Sequence, residues 1–339
     1  MTPRSPFLVS PAYDWAFFLL APMYALVIGI LIAGTRFTDH EIFVLGQGTT
    51  MAAIAIGSLV HAHLVAVVFR SHVNATIFTR YKLRFVLVPI LLWLAIVGST
   101  WVAITATVVA TFWDVWHSGA QTFGFARIYD RNAGNTTDAG RRLDYWLSQL
   151  LYAGPILAGA TFVDHIDAFE NYKDVGSAFF TSIPADATGH QRYLTWGILA
   201  AGTIFLVAYV VAQVGYHRRG HRVAPLKVFL LTTTGLCSIY TWGFNTWGEA
   251  FFIMNFFHAV QYLALVWAME KKTLARRLGD GRDGLRAAAF VFFGAVGLYG
   301  LGAELLDPDI NTLWALTIVV SLMHFWWDGF IWSVRRNEV

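Results

Sequence analysis

The sequence predicts an all-α fold: a polytopic integral-membrane helical bundle of about ten transmembrane helices, with both termini cytoplasmic. Three observations lead there. Of 339 residues, 57% are hydrophobic and only 13% charged, against roughly 25% charged in soluble domains. The apolar residues gather into ten runs, most of them near the ~20 residues a helix needs to cross the hydrocarbon core. The basic residues fall almost entirely between alternate runs, as cytoplasmic loops require. Such a composition excludes a soluble enzyme, a disordered regulator and a nucleic-acid binder, because too few polar side chains exist to cover a water-facing surface. The single cysteine, Cys237, excludes an intramolecular disulfide and any thiolate cluster, and with it a Cys-based zinc or iron–sulfur site.

The runs follow in order. Asp14 to Gly34 is too long for a signal-peptide core, starts on an acid and lacks a clean small-residue cleavage site, so it is read as a retained span. Val44 to Phe69 is the second. Phe85 to Ala126 is one stretch whose only full charge is Asp114. As a single helix it would reach about 63 Å at ~1.5 Å per residue, about twice the bilayer core. It must turn once, and Gly98-Ser99-Thr100 is the expected place, giving Phe85 to Gly98 and Trp101 to Ala126. Tyr145 to Val163, Leu194 to Gly215, Val228 to Trp247, Ala250 to Met269, Ala287 to Glu304 and Leu313 to Val334 complete the set. No internal repeat, linker or low-complexity tract divides the chain, so residues 1–339 are read as one transmembrane domain. Its expected inner loops are 70–84, 127–144, 216–227 and 270–286. The acidic outer loop 164–193 is long enough to lie along the membrane face.

The charges test this count. With the amino terminus inside, 21 of the 24 Lys and Arg fall on the inner side, and only Arg36, Lys173 and Arg192 fall outside. Losing one span would scramble the partition. The expected location is a bacterial inner (cytoplasmic) membrane. The inner basic clusters serve orientation first and lipid headgroups second.

Eleven histidines are present. His40, His165 and His190 fall in outer loops, and His72, His217 and His221 in inner ones. His61, His63, His117, His258 and His324 lie within spans, where ionisable residues are costly and usually face a functional interior. Counted from the inner boundaries, all five sit roughly 10–18 Å deep at ~1.5 Å per residue. Asp114 and His117, three apart, share a helix face that Gln121 continues. His324 and Asp328, four apart, share another, and Asn255, His258, Gln261 and Tyr262 form a polar stripe. Carboxylate–histidine pairs at this spacing are how helical bundles present metal ligands. A lone intramembrane histidine is more often an interhelical hydrogen bond. Five at one depth, two of them beside aspartates, point instead to a metal. His61 and His63 project about 200° apart, so His61 is taken as ligand and His63 as an outer partner, a second-metal ligand or a bond to a neighbouring helix. Asp114 and Asp328 are ligands, orienters or bases.

A donor set of imidazole and carboxylate without thiolate suits non-haem iron, mono- or dinuclear, with zinc, copper or haem as alternatives. Iron with an open position suits dioxygen activation. A buried site suits a lipophilic substrate, a lipid or isoprenoid, entering from the bilayer. The expectation is an integral-membrane non-haem iron oxygenase or oxidase, with membrane lipids and a redox or subunit partner beside it. The rivals are a transporter or channel for protons, ammonia or a metal ion, and a haem-binding accessory subunit of a membrane complex.

The order of motifs resembles the bacterial integral-membrane β-carotene dioxygenase family. His117-Ser118-Gly119 is similar to that family's His-Phe-Gly element. Its Pro-His-Gly-x-x-Asp element falls near Val60-His61-Ala62-His63, which lacks the proline, glycine and aspartate. Its His-x-x-x-His pair falls on His258 to Tyr262, with Tyr262 in the second position. Its late histidine and aspartate are similar to His324 and Asp328, one residue closer together here. The resemblance covers four short motifs and implies iron bound by histidines from several helices and dioxygen chemistry, without implying a carotenoid substrate.

Overall fold

The computed structural model describes residues 5–135, 138–306 and 311–332. Arg4, Arg335 and Arg336, counted above as inner charges, and the end of the last run at Val334 lie outside the described residues.

The first run becomes α1 (Pro11–Asp14), a π turn (Trp15–Leu19) and α2 (Ala21–Ile32), bent by 49° at the break. Pro22 has no N–H to return to the preceding turn, so a regular α ladder cannot pass through it. A short α3 (Arg36–Asp39) leads to a hairpin in which β1 (Glu41–Val44) pairs antiparallel with β2 (Gln47–Thr50), Val44 opposite Gln47. The turn residues Leu45 and Gly46 both have positive φ, 52° and 86°, the two-residue geometry that matches strand twist. The second run therefore does not start at Val44. It starts at α4 (Met51–Ser71), capped by Thr50, whose hydroxyl accepts the Ala53 N–H at 3.1 Å. Gly46, Gly48 and the Thr pair disfavour a helix before that point.

α5 (Ala75–Gly98) and α6 (Thr100–Asn132) divide the long Phe85–Ala126 stretch at Ser99, where the sequence places the turn. α5 begins well before Phe85 and bends at Tyr81 (φ −128°, ψ 20°), so most of the expected loop 70–84 is helix. α7 (Arg141–Ala158) turns through 103° into α8 (Phe162–Ile166) and a 3-10 segment (Asp167–Val175). α9 (Ala178–Thr181) and α10 (Ile183–Arg218) follow, so the expected outer loop 164–193 is also mostly helical. Then come α11 (Pro225–Phe244), α12 (Trp247–Leu278), α13 (Gly281–Glu304) and α14 (Asn311–Ile331). The strong helix formers Lys, Arg and Glu let α12 and α13 run through most of 270–286.

Among the described residues each of the ten apolar runs consists mainly of helix, and the fold is all-α apart from the hairpin. Among the described residues, six helical stretches are long and apolar enough to cross a membrane, or eight if each of the two bent pairs is one span. α6 and α11 are not among them. α6 carries Asp114, His117 and Gln121 and a basic end, and α11 is rich in threonine, which lowers their hydropathy.

The chain forms two compact units, each built from two separate stretches. The first takes Met1–Gly29 and Thr111–Met254, the second Ile30–Ala110 and Asn255–Val339. In the first, α7 packs on α10 and α11, with Ala126, Leu147 and Leu231 buried together. The break after α7 fits because Gly159 has no side chain. A Cβ there would lie 2.5 Å from Gly243 Cα and 2.6 Å from the Trp242 carbonyl oxygen. A buried charge network ties the same helices. Arg127 bonds Asp130 at 2.8 Å and also Asp144, and Lys227 and Tyr209 each reach Asp144 at 2.8 Å. Arg127 and Lys227, read from sequence as orientation charges, are therefore also internal partners.

In the second unit, α4 lies along α13 and against α14, which also packs on α5. Gly300 makes the α4–α13 approach possible. A Cβ there would fall 2.2 Å from the Ser58 carbonyl oxygen and 2.9 Å from Ala62 Cβ. Trp93 Nε1 donates to the Thr312 carbonyl at 3.0 Å and ties α5 to α14.

Candidate metal centre

Within the second unit, α4, α12 and α14 bring His63, His258 and His324 together. The three are 1%, 1% and 0% exposed. One ring nitrogen from each lies within 4.8 Å of the other two. The rings of His258 and His324 each stand edge-on to His63, at centroid distances of 5.2 Å. Among the described residues neither ring nitrogen of His63 has a hydrogen-bond partner.

Helical spacing builds the walls. His258 and Tyr262 are one turn apart on α12, and His324 and Asp328 one turn apart on α14. His324 Nδ1 lies 3.1 Å from the Leu64 carbonyl oxygen. A carbonyl only accepts, so Nδ1 holds the proton and Nε2 presents a lone pair. Asp328 Oδ1 accepts from Tyr262 Oη at 2.8 Å and from Trp332 Nε1 at 2.9 Å. Its other oxygen, Oδ2, lies 3.7 Å from His324 Nε2. The Tyr262 ring closes one side, 4.5 Å from the His324 ring. Asn255 and Gln261, the rest of the α12 stripe, are buried as well, at 6% and 1% exposure.

A buried ion pair backs this cluster towards the end of α4. Arg70 Nη1 meets Glu270 Oε1 at 2.6 Å, and Asn74 Nδ2 reaches both Glu270 oxygens at 3.3 Å. The Arg70 guanidinium lies 4.5 Å over the Trp332 ring. His72, just past α4, is held below the ordinary imidazole range by burial, among the rings of Phe78, Phe85 and Trp327.

The sequence reading preferred His61 as the α4 ligand. The structure instead places His63 in the cluster, for a simple reason. Arg70 is two helical turns from His63 and so shares its face, and Arg70 is drawn to Glu270 on α12. His61 turns towards α13, its Nε2 3.8 Å from Glu304 Oε2. Asp114, His117 and Gln121 lie on α6 and belong to the first unit. There His117 is 4% exposed, and Asp114 and Gln121 are half-buried. Sequence reasoning missed Arg70, Glu270, Trp332 and Glu304 as partners. The available signal was an acid at the end of each of two apolar runs, each set against α4.

Fold and geometry together define an all-α protein whose long apolar helices mark it as a membrane protein, with a buried cluster of three histidines. No protein-family model, no curated protein and no solved structure matches the chain.

Proposed function

We propose that this is an integral-membrane metalloenzyme that holds a transition-metal ion between His63, His258 and His324, with iron the first choice, and oxidises a lipophilic substrate with dioxygen. The observation that carries this reading is the convergence of three buried imidazoles within 4.8 Å. Metal–nitrogen bonds of about 2.0–2.1 Å would draw the nitrogens closer by up to about 1.4 Å, a change side-chain rotation supplies. The two His63 nitrogens support it, since a buried polar atom without a partner is costly and an ion would engage one of them. Three nitrogens converging on a point suit a bare ion; axial haem ligation sets two across a plane. The donor set contains no thiolate, which suits iron over softer ions.

When bound, the ion supplies Lewis-acid and redox chemistry towards dioxygen. The chain's own contribution is positioning. Leu64 holds the His324 ring and its tautomer. Tyr262 and Trp332 hold Asp328 Oδ1, and Oδ2 lies on the His324 side, as a fourth donor or an orienter. The apolar helices exclude water and favour a substrate from the bilayer, a lipid or isoprenoid, with a separate protein as electron donor. The proposed setting is a bacterial cytoplasmic membrane, crossed ten times, with both termini inside.

The test is elemental analysis and an optical spectrum of detergent-purified protein, wild type and His63→Ala. Near-stoichiometric iron in the wild type, lost in the variant without loss of monodispersity, is expected. Folded, monodisperse wild type that takes up no metal when offered iron(II) overturns the proposal. A strong Soret band would replace the bare ion by haem.

A further inference from the structure

A second imidazole–carboxylate meeting lies in the second unit, on the opposite side of α4. We infer that His61 and Glu304, with Ser58, form a separate site for a divalent first-row transition ion. His61 and His63 project about 200° apart on one helix, so the α13 side of α4 is a different environment from the triad. There His61 Nε2 and Glu304 Oε2 are 3.8 Å apart, too far for a hydrogen bond. One ion with bonds of about 2.0–2.1 Å to each would set them about 3.4 Å apart at the tetrahedral angle, a closure of a few tenths of an ångström.

The carboxylate is seated rather than loose. It lies against Gly57, where a Cβ would fall 1.9 Å from Glu304 Oε2 and 2.2 Å from its Cδ. Ser58 is three residues before His61 and shares its face. Ser58 Oγ is buried with no hydrogen-bond partner among the described residues. A carboxylate and an imidazole inside apolar helices are costly without compensation, and a divalent cation compensates both. Nitrogen and oxygen donors without sulfur suit zinc, manganese, iron(II) or cobalt(II). The inference does not depend on the triad holding a metal.

Cobalt(II) titration of metal-free, detergent-purified full-length protein tests it, read by visible absorption and by bound cobalt after desalting. The wild type should take up one equivalent that Glu304→Gln and His61→Gln abolish and that His63→Ala leaves in place. Gly57→Ala keeps every ligand but displaces the carboxylate, and should weaken that equivalent at least tenfold. A monodisperse Glu304→Gln that binds as much cobalt as the wild type, with the same affinity, overturns the inference. Loss of all cobalt in His63→Ala, with none lost in Glu304→Gln, also overturns it and leaves the triad reading intact. Loss confined to Glu304→Gln and His61→Gln supports this site and counts against the triad.

Discussion

Tyr262 stands one helical turn from His258 and gives its hydroxyl proton to the oxygen of Asp328 that also accepts from Trp332. Tyr262→Phe deletes that bond and keeps the ring against His324. Partners that orient ligands are worth about 10–100-fold in metal affinity. Competition against a chelator should show a loss of that size, and an unchanged affinity would remove Asp328 from the site. The residues that make the cluster were legible in sequence as part of a larger set, because five histidines within apolar runs and two nearby aspartates are hard to explain by packing. Their assignment was not. Whether His61 or His63 faces the cluster depends on how α4 is rotated, and Arg70 and Glu270 set that rotation. Glu270 lies just past the apolar run Ala250 to Met269, where sequence alone gives a charge no reason to be buried, yet it is 2% exposed.

At the scale of elements, the pair formed by α4 and α13 depends on glycine at the contact. Gly300→Leu would drive a side chain into the Ser58 carbonyl and Ala62, and should cost about 2–3 kcal/mol. Gly294→Leu, with nothing within 4 Å of its Cβ position, should cost almost none. Thermal unfolding in detergent separates the two. The Arg70–Glu270 pair joins α4 to α12 in the same unit. Removing one partner of a buried pair costs about 3–5 kcal/mol, because the other charge is left behind, while replacing both by apolar residues is often neutral. Arg70→Met should therefore unfold well below the wild type, and Arg70→Met with Glu270→Met should recover most of the loss. Equal losses in single and double variants would show that the pair is not coupled. Element positions were legible from hydropathy, including the turn at Ser99. Ends were not, since helices continue past their apolar cores wherever charged helix formers follow, and Gly46 and Gly48 redirect the start of α4 into a hairpin.

For the whole molecule, the partition of basic residues gave a topology in which the segment around Asp174 is outside and that around Asp283 inside. Impermeant thiol labelling of Asp174→Cys and Asp283→Cys tests it. Asp283 is 92% exposed, and the native Cys237 is buried, so background labelling is low. Labelling from opposite faces of oriented vesicles is expected; labelling from the same face would remove a span between them. Charge sums concealed another property. Arg127 and Lys227 count towards orientation, yet both are spent internally on Asp130 and Asp144, a role that only three-dimensional neighbours reveal. The division into two units was equally hidden, because neither unit is a continuous stretch and no linker marks a boundary.

That interleaving has a consequence for synthesis. His324 bonds the carbonyl of Leu64 across 260 positions of chain, and Arg70 waits 200 positions for Glu270. As the protein emerges from the ribosome, α4 enters the bilayer long before the helices that satisfy its polar face exist. The cluster cannot assemble until the last helix is delivered. On the proposed function, metal loading would be a late, post-insertion event, and a nascent chain truncated before α14 would carry the cost of these buried polar groups without the cluster they build.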